Sequence, residues 1–445
     1  MAAFLGMRGT GDWGANQVPE SWDEYILYEY PNGSAPLFAM QSMFGKKRVI
    51  DSYKHHWFTK TLPVQAGAVS GIYVNAGLTT SYSYTIHKNT YGVAGAVIYV
   101  KIAESLAKEL KPTHKVLLRD SDQLDVDVVG KVEDVVYDGA NSYVAVKLLE
   151  DDGNHIQLVG GEATSYNLST VDRLLVSGNM NPEGSPAPPA IGYDPVEYTN
   201  VTGIYRNTLD ITNTAIATTL RTGDAYKEEK RQCGELHSME IEKDAFWSRY
   251  YEGVGKNGKP ERSPMGLFEF VKSYAPDNYC DYVTDSDYTG KTWLQSGKKW
   301  LNAKLAQLAR YMSYGSVTEC VGFAGEGALL GIQELAEQDG TINLTPGQKD
   351  YGIEVITWRT VFLTVHLKIH PLFSHETTNS NLLVLGHPRN AKWLPLKGRD
   401  TTFETNMQLP GVDGKVDGYK TEGTWQWNFP NQWMVLRGVG MDNAL

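Results

Sequence analysis

Apolar residues recur along this chain in two rhythms, and the changes between them divide it. From Lys47 to Leu62 the pattern is extended, with Val49, Tyr53, His55 and Trp57 on one parity. Strand-like pieces follow at Gly71–Val74, Tyr82–His87 and Ala96–Val100. Ile102, Leu106 and Leu110 then stand four residues apart and predict a short helix over Ile102–Lys111, stopped by Pro112. Residues 113–175 carry short strands at Val116–Leu118, Val126–Val136 and Tyr143–Leu149. The turn formers Asp120-Ser121-Asp122, Asp138-Gly139-Ala140-Asn141 and Asp151-Asp152-Gly153-Asn154 separate them, which predicts a small five-stranded barrel inserted in a larger lobe. Ser177–Pro195, with Pro182, Pro186, Pro188, Pro189 and Pro195, reads as an extended linker. Glu197–Thr212 returns to strand, setting Leu209 and Ile211 against Thr208, Asp210 and Thr212.

The longest helical stretch is Asp224–Glu252, about 29 residues and ~43 Å at helical rise. Cys233, Leu236, Met239, Phe246 and Tyr250 form a thin stripe, and Lys227, Glu228, Glu229, Lys230, Arg231, Glu235, Glu240, Glu242 and Lys243 occupy the other faces. Such a helix suits the edge or spine of a plate rather than the middle of a core. A glycine turn follows at Gly253–Pro260. Leu294, Leu301, Leu305, Leu308 and Met312 predict a second helix with Gly315 as its cap, and Leu329, Ile332 and Leu335 a third over Gly325–Gln338. Tyr351–His370 reads as one long strand, with Val361, Leu363, Val365, Leu367 and Ile369 on one parity and Pro371 at its end. Asn381–Leu385, Thr424–Phe429 and Trp433–Arg437 are the last strands, with Trp425, Trp427 and Phe429 expected on one face. Before all of these, residues 1–20 are Gly-rich and polar around Trp13, an arm that needs contact to become ordered. A short helix is expected from Ser21 to Pro31, with Ile26, Leu27 and Tyr30 on its apolar side, and Ala35–Phe38 then turns into a strand.

With 445 residues, 41% hydrophobic, the chain has enough material for two or more lobes. A net charge of −11 argues against a nucleic-acid coat held by basic patches, though not against a shell whose lining must not trap the polymer. The 26 tyrosines and 11 tryptophans point to interfaces, where such rings are favoured. Cys233, Cys280 and Cys320 are too few and too widely spaced for a disulfide framework or zinc site, and read as reduced thiols of a cytoplasmic protein. No secretory signal, removed propeptide or membrane-spanning run is expected.

Candidate chemistry is sparse. Gly253-Val254-Gly255-Lys256-Asn257-Gly258-Lys259-Pro260 resembles a phosphate-binding loop, but a helix precedes it and Pro260 holds the hydroxyl position, so a surface hairpin fits better. His366 and His370 sit ~13 Å apart along a strand with Lys368 between, which suits solvated or interface histidines better than metal ligands. The adjacent His55 and His56 point to opposite faces. Asp23-Glu24, Glu326 with Glu334, and Glu240-Glu242-Asp244 each lie within one helix and frame no cleft, so they read as helix-dipole partners or solvated faces. No catalytic, cofactor-binding or metal-binding residue is assigned, and no cofactor is expected.

The order of elements resembles the major capsid proteins of tailed bacteriophages, with the HK97-type fold, an α+β architecture. The likeness is carried by Tyr28-Glu29-Tyr30-Pro31 with Ala35-Pro36-Leu37-Phe38 and Gly45-Lys46-Lys47, by Thr113–Arg119 with Val126–Val136, and by Tyr205–Thr212. Lys227–Gly253 with Pro264-Met265-Gly266-Leu267, and Thr421–Trp425 with Asn428–Gly438, complete it. The resemblance implies an N-terminal arm at 1–44 and the first part of an extended β-hairpin loop at 45–112. A β-barrel-like insertion at 113–176 follows, then a linker and returning strand at 177–222. Residues 223–445 then form peripheral and axial lobes, with the spine helix at 224–252. The insertion and linker are long for the pattern.

The implied function is self-assembly, without enzymatic activity, into hexamers and pentamers of an icosahedral head around double-stranded DNA that is not read by sequence. Portal and scaffolding proteins, and a cement or decoration protein, are the implied partners. The implied location is the virion, after synthesis in the host cytoplasm, with no membrane partner. An encapsulin-type shell is the alternative within the fold, and a β-rich carbohydrate-active or carbohydrate-binding protein the alternative from another class. Deleting Met1–Glu20 is expected to impair the formation of shells seen by electron microscopy while leaving the circular dichroism spectrum of the subunit unchanged.

Overall fold

The computed structural model describes residues 35–37, 48–60, 65–121, 127–152, 157–159, 162–164, 167–218, 223–314, 317–339, 344–350, 353–374 and 376–443. The arm and the helix expected at Ser21–Pro31 lie outside these residues. The chain divides into two compact units, one of residues 1–59 with 197–445 and one of residues 60–196. It enters the second unit after β1 (Lys54–Thr59).

The second unit is a closed barrel of six strands: β2 (Ala66–Tyr73), β3 (Val97–Ile102), β4 (His114–Arg119), β5 (Asp127–Val136), β6 (Tyr143–Leu148) and β7 (Arg173–Asn179). They close in the order β2-β3-β6-β5-β4-β7. Strict alternation builds it: Ile98, Val100, Val116, Leu118, Val128, Val132, Val144 and Val146 point inward, and each exposes 1% of its surface or less. The barrel therefore begins well before residue 113 and has one strand more than expected. Closure needs partners for the outer edges of β7 and β6: β2 pairs with β7, β3 pairs with β6, and β2 with β3 joins the two. Ile102 belongs to β3, so the predicted helix shrinks to one turn, Glu104–Ala107, although Leu106 and Leu110 are buried as its spacing implied. Tyr84–His87 is also one helical turn rather than strand, held by the Ser83 N–H donating to His87 Nδ1 at 3.0 Å.

In the first unit β8 (Val196–Val201) pairs with β1, and β9 (Gly203–Thr212) runs antiparallel to a 14-residue strand near the C-terminus. The long helix follows as α1, Ala225–Trp247. Asp224 caps it by accepting from the Tyr226 and Lys227 amides, and Ser248 ends it. It is therefore 23 residues, shorter than expected, and the chain beyond it turns into the hairpin β10 (Tyr251–Val254) and β11 (Pro260–Ser263). The buried face is Cys233, His237, Ile241, Glu242, Ala245 and Phe246, whereas Leu236 is exposed. Contrary to the edge-helix expectation, its C-terminal half lies in the main core, with Ile241, Ala245 and Phe246 fully buried.

Helices α2 (Leu267–Tyr274), α3 (Trp293–Tyr314) and α4 (Glu326–Asp339) accompany a seven-stranded sheet. Its strands are β12 (Tyr279–Asp281), β13 (Glu319–Ala324), β14 (Leu344–Asp350), β15 (Ile353–Arg359), β16 (Thr364–Ile369), β17 (Leu383–Gly386) and a last strand, Trp433–Arg437. A separate sheet joins β9 to β18 (Ala391–Pro395), β19 (Thr402–Glu404) and the long β20 (Gly414–Trp427), and Trp433–Arg437 is β21. The seven strands are ordered β12-β21-β17-β13-β16-β15-β14. The single strand predicted over Tyr351–His370 is thus two. Thr360 breaks it: its hydroxyl accepts from the Leu363 amide at 3.0 Å and donates to the Leu363 carbonyl at 2.7 Å, and the chain reverses.

Among the described residues eight tryptophans are buried inside this chain: Trp57, Trp293, Trp300, Trp358, Trp393, Trp425, Trp427 and Trp433. The tryptophan richness thus serves the subunit core, a correction to the interface expectation. Trp425 stacks on Trp427 with centroids 5.3 Å apart, while Phe429, past the strand end with φ of 52°, stays partly exposed. Close packing also fixes Gly325, where a Cβ would stand 2.2 Å from the Ser380 carbonyl oxygen, a backbone atom with no room to retreat. Gly325→Ala is expected to lower unfolding stability by about 1–3 kcal/mol, read as a lower denaturant midpoint.

Candidate functional site

Helix α1 places three polar side chains on its buried face, and each is answered from a distant part of the chain. His237 meets Asn207 Oδ1 on β9 at 2.6 Å and Thr421 Oγ1 on β20 at 2.7 Å. One turn on, Glu242 is fully buried. Its Oε1 accepts from His370 Nε2 at 2.9 Å and from the Leu37 amide at 2.8 Å. Asp244 accepts from the Tyr205 hydroxyl on β9.

The Glu242 junction joins three segments far apart in sequence: residues 35–37, the long helix, and the chain just beyond β16. The donor is the Nε2–H of His370, whose buried Nδ1 has no hydrogen-bond partner among the described residues. The ring stacks on Phe373 at 4.3 Å and meets the Phe246 edge at 5.1 Å, so both faces are dry. This corrects the solvated reading of His366 and His370: both are buried, His366 beside the buried Val365 and Leu367 of β16, and His370, just past its end, against Glu242 and Phe373. It also corrects the solvated reading of Glu242. Among the described residues, no cluster of three or more His, Cys, Asp or Glu side chains is placed to hold a metal ion.

A second buried clip is built on Asn200. Its Nδ2 donates to the carbonyls of Trp425 at 2.8 Å and Met265 at 3.2 Å, and its Oδ1 accepts from the Met265 amide at 2.7 Å. It fastens β8 to β20 and to the turn before α2. Asn200 also opens an Asn-x-Thr triplet, yet it is fully buried.

Titratable groups follow burial. Burial pushes the Cys320 thiol up to about 12 and raises Cys233 and Cys280 as well, so none is a thiolate at neutral pH. Burial first, then the Asp244 charge, raises the Tyr205 phenol. Burial also raises the Asp244 carboxyl, against the opposing hydrogen bonds from Tyr205 and Ser248.

The glycine-rich stretch 253–260 is the turn of the β10–β11 hairpin, as expected. The Gly255 amide donates to the Lys259 carbonyl at 2.8 Å and Gly258 takes a φ of 71°. Exposed apolar residues occur on regular elements, as Phe58 on β1, Leu330 on α4 and Leu236 on α1 do, and also on turns and hairpin ends. Those on turns and hairpin ends of the first unit include Val361 (97% exposed), Leu409 (75%), Val254 (73%) and Val412 (54%), and in the barrel unit Ile86 and Tyr137 stand out. Sequence patterning missed the Val361 tip because Val361 fits the alternation of the strand beside it. No helix of the described residues is long and apolar enough to cross a membrane.

Residues 10–440 match the family described as SU10 major capsid protein. The major capsid protein of Pseudomonas phage PaMx41 is 26% identical over 394 residues, covering 87% of this chain and 81% of that protein. Among solved structures, the holo-SrpI encapsulin complex of Synechococcus elongatus PCC 7942 is 14% identical over 57% of this chain and 78% of that one, with a TM-score of 0.37. The mature capsid of bacteriophage PhiM1 is 10% identical over 59% and 78%, with a TM-score of 0.35.

Glu242→Ala strands the buried His370 N–H and Leu37 amide, and is expected to cost about 3 kcal/mol in chemical denaturation, Glu242→Gln costing less because its amide oxygen still accepts. The raised Asp244 means that the stability it contributes is full below the ordinary carboxylate value, about pH 4, and is lost as pH rises through its folded value. Asp244→Asn is expected to flatten that part of the stability–pH curve.

Proposed function

The chain belongs to the SU10 major capsid protein family, and from that premise we propose that its copies join as hexamers and pentamers into an icosahedral phage head around double-stranded DNA. The observation that carries this reading is the extent of the family match, residues 10–440 of 445. The protein is a phage major capsid protein, and its place is the capsid of the virion. Synthesis in the host cytoplasm, and contacts with portal, scaffolding and decoration proteins, complete the proposal.

Two physical features support assembly. The subunit buries eight tryptophans but leaves branched apolar residues such as Val361 and Leu409 exposed, which suits contacts with other copies. The excess of acidic over basic residues, 52 against 41, lets packaged DNA slide without being held. The order of elements supports an HK97-type organisation. In it residues 1–44 act as the arm, 45–112 and 177–222 as the extended loop with its returning strand, 113–176 as part of the insertion, and 223–445 as the peripheral and axial lobes around the α1 spine.

The protein expressed alone and viewed by negative-stain microscopy is expected to form closed shells or capsomers. A lone subunit that sediments as a monomer at every concentration overturns the reading. Val361→Glu and Leu409→Glu together are expected to reduce shell yield at least tenfold, with the melting temperature of the subunit unchanged.

A further inference from the structure

Resting on the capsid reading, we propose that the cleft between α3 and residues 276–280 is a point where the shell touches the phosphate backbone of packaged double-stranded DNA. Helix α3 carries Lys298, Lys299, Lys304 and Arg310 over 22 residues and no Asp or Glu. Its neighbour α4 is the reverse, with Glu326, Glu334, Glu337 and Asp339 and no Lys or Arg. The two helices meet near the start of α3, where Trp293 Nε1 donates to the Gly331 carbonyl at 2.9 Å. Lys304 stands ~16 Å further along the helix at its regular rise. The acidic helix therefore offsets the start of α3 and leaves its later half positive.

That half borders an open cleft of about 640 Å³, with Lys304, Gln307 and Arg310 on one wall and Asp277 and Tyr279 on the other. Lys272 of α2 adds a third cation, its Nζ 5.9 Å from the centre of the Tyr279 ring. Three cations thus surround one lining carboxylate. Asp281 and Asp285 lie outside the lining and accept from the Val283 amide at 3.1 Å and from Trp300 Nε1 at 2.9 Å. Lys272 and Lys304 make no ion pair among the described residues, and Lys304 rests against the Cys280 thiol. The two walls are tied together, because Gln307 Nε2 donates to the Asp277 carbonyl at 3.0 Å and to Asn278 Oδ1 at 2.9 Å. The cations are therefore presented by a fixed frame. Lys304 and Arg310 stand ~9 Å apart along the helix, a few steps of one DNA strand at ~3.4 Å each. None of the residues lining the cleft is an exposed large apolar side chain. A protein partner would need such an anchor, whereas a phosphate backbone needs positive charge and polar groups. The acidic balance of the whole chain keeps the contact local and weak.

The test uses the full-length protein and a short fluorescent duplex of mixed sequence, titrated at low and at physiological salt. Lys272→Gln with Lys304→Gln is expected to weaken binding about tenfold at low salt and to make the salt slope shallower by about 2, with the melting temperature unchanged. Lys304→Arg, which keeps the charge, is expected to bind as wild type does. Lys256→Gln with Lys259→Gln removes the same charge from the β10–β11 hairpin and is expected to leave affinity within twofold. Failure of wild type to bind the duplex overturns the inference, as does equal loss from the hairpin pair, which would make net charge the cause. A polyglutamate peptide that binds wild type as tightly as the duplex, and is lost with the cleft pair, makes an acidic protein segment the occupant and overturns it equally. Shells are counted by electron microscopy in the same samples. Any of these adverse results with wild-type shells intact removes the DNA contact alone, and absence of wild-type shells removes the capsid reading and the contact with it.

Discussion

A carboxylate with no water around it has to be answered by donors, and Glu242 is answered by groups that have no other reason to be close. The Leu37 amide and the His370 ring both converge on one oxygen of the long helix. The helix cannot rotate or slide without stranding them. This is the reverse of a solvated spine: the helix is pinned from within, and phase along it is set by polar partners as much as by apolar ones. Its apolar stripe is too thin to fix that phase, whereas His237, Glu242 and Asp244 each find a partner on a different strand or segment.

That pin divides the labour between core and surface. The large rings pack inward, with Trp425, Trp427 and Trp433 in one cluster and Trp293 with Trp300 in the other. Removing one such ring costs about 3–5 kcal/mol in a packed interior, so they are well used there. The small branched residues at turn tips then do what remains. Val361 sits on a turn that Thr360 ties down with its own hydroxyl, and Val254 on a hairpin anchored at its base. Rigid presentation of modest apolar groups suits assembly through many weak contacts multiplied by symmetry. The barrel unit holds itself together by closure and has its own core.

Alternation was legible wherever one face of a strand was wet. Leu209 and Ile211 against Thr208 and Asp210 are buried and exposed as the pattern required, and so are the inward valines of β4 and β5. The helices α3 and α4 follow their leucine spacing closely, although Trp293 and Trp300, not Leu294, complete the inner face of α3. Alternation failed where both faces are dry. His366, between Val365 and Leu367, is as hidden as they are, and Thr424 and Gln426 are buried between tryptophans on β20.

The amino-acid sequence by itself therefore determined the kinds and order of elements, the inserted β-module, the capsid family, and the hairpin where a phosphate loop was one reading. Local rhythm and turn chemistry are short-range, and a single chain displays them in full. Only the tertiary structure decided that the barrel needs β2 and β3 to close, that Thr360 splits a strand in two, and that Glu242 and His370 are partners. Each of these depends on which remote segment removes the water or supplies the second hydrogen bond, and no spacing along the chain encodes that distance.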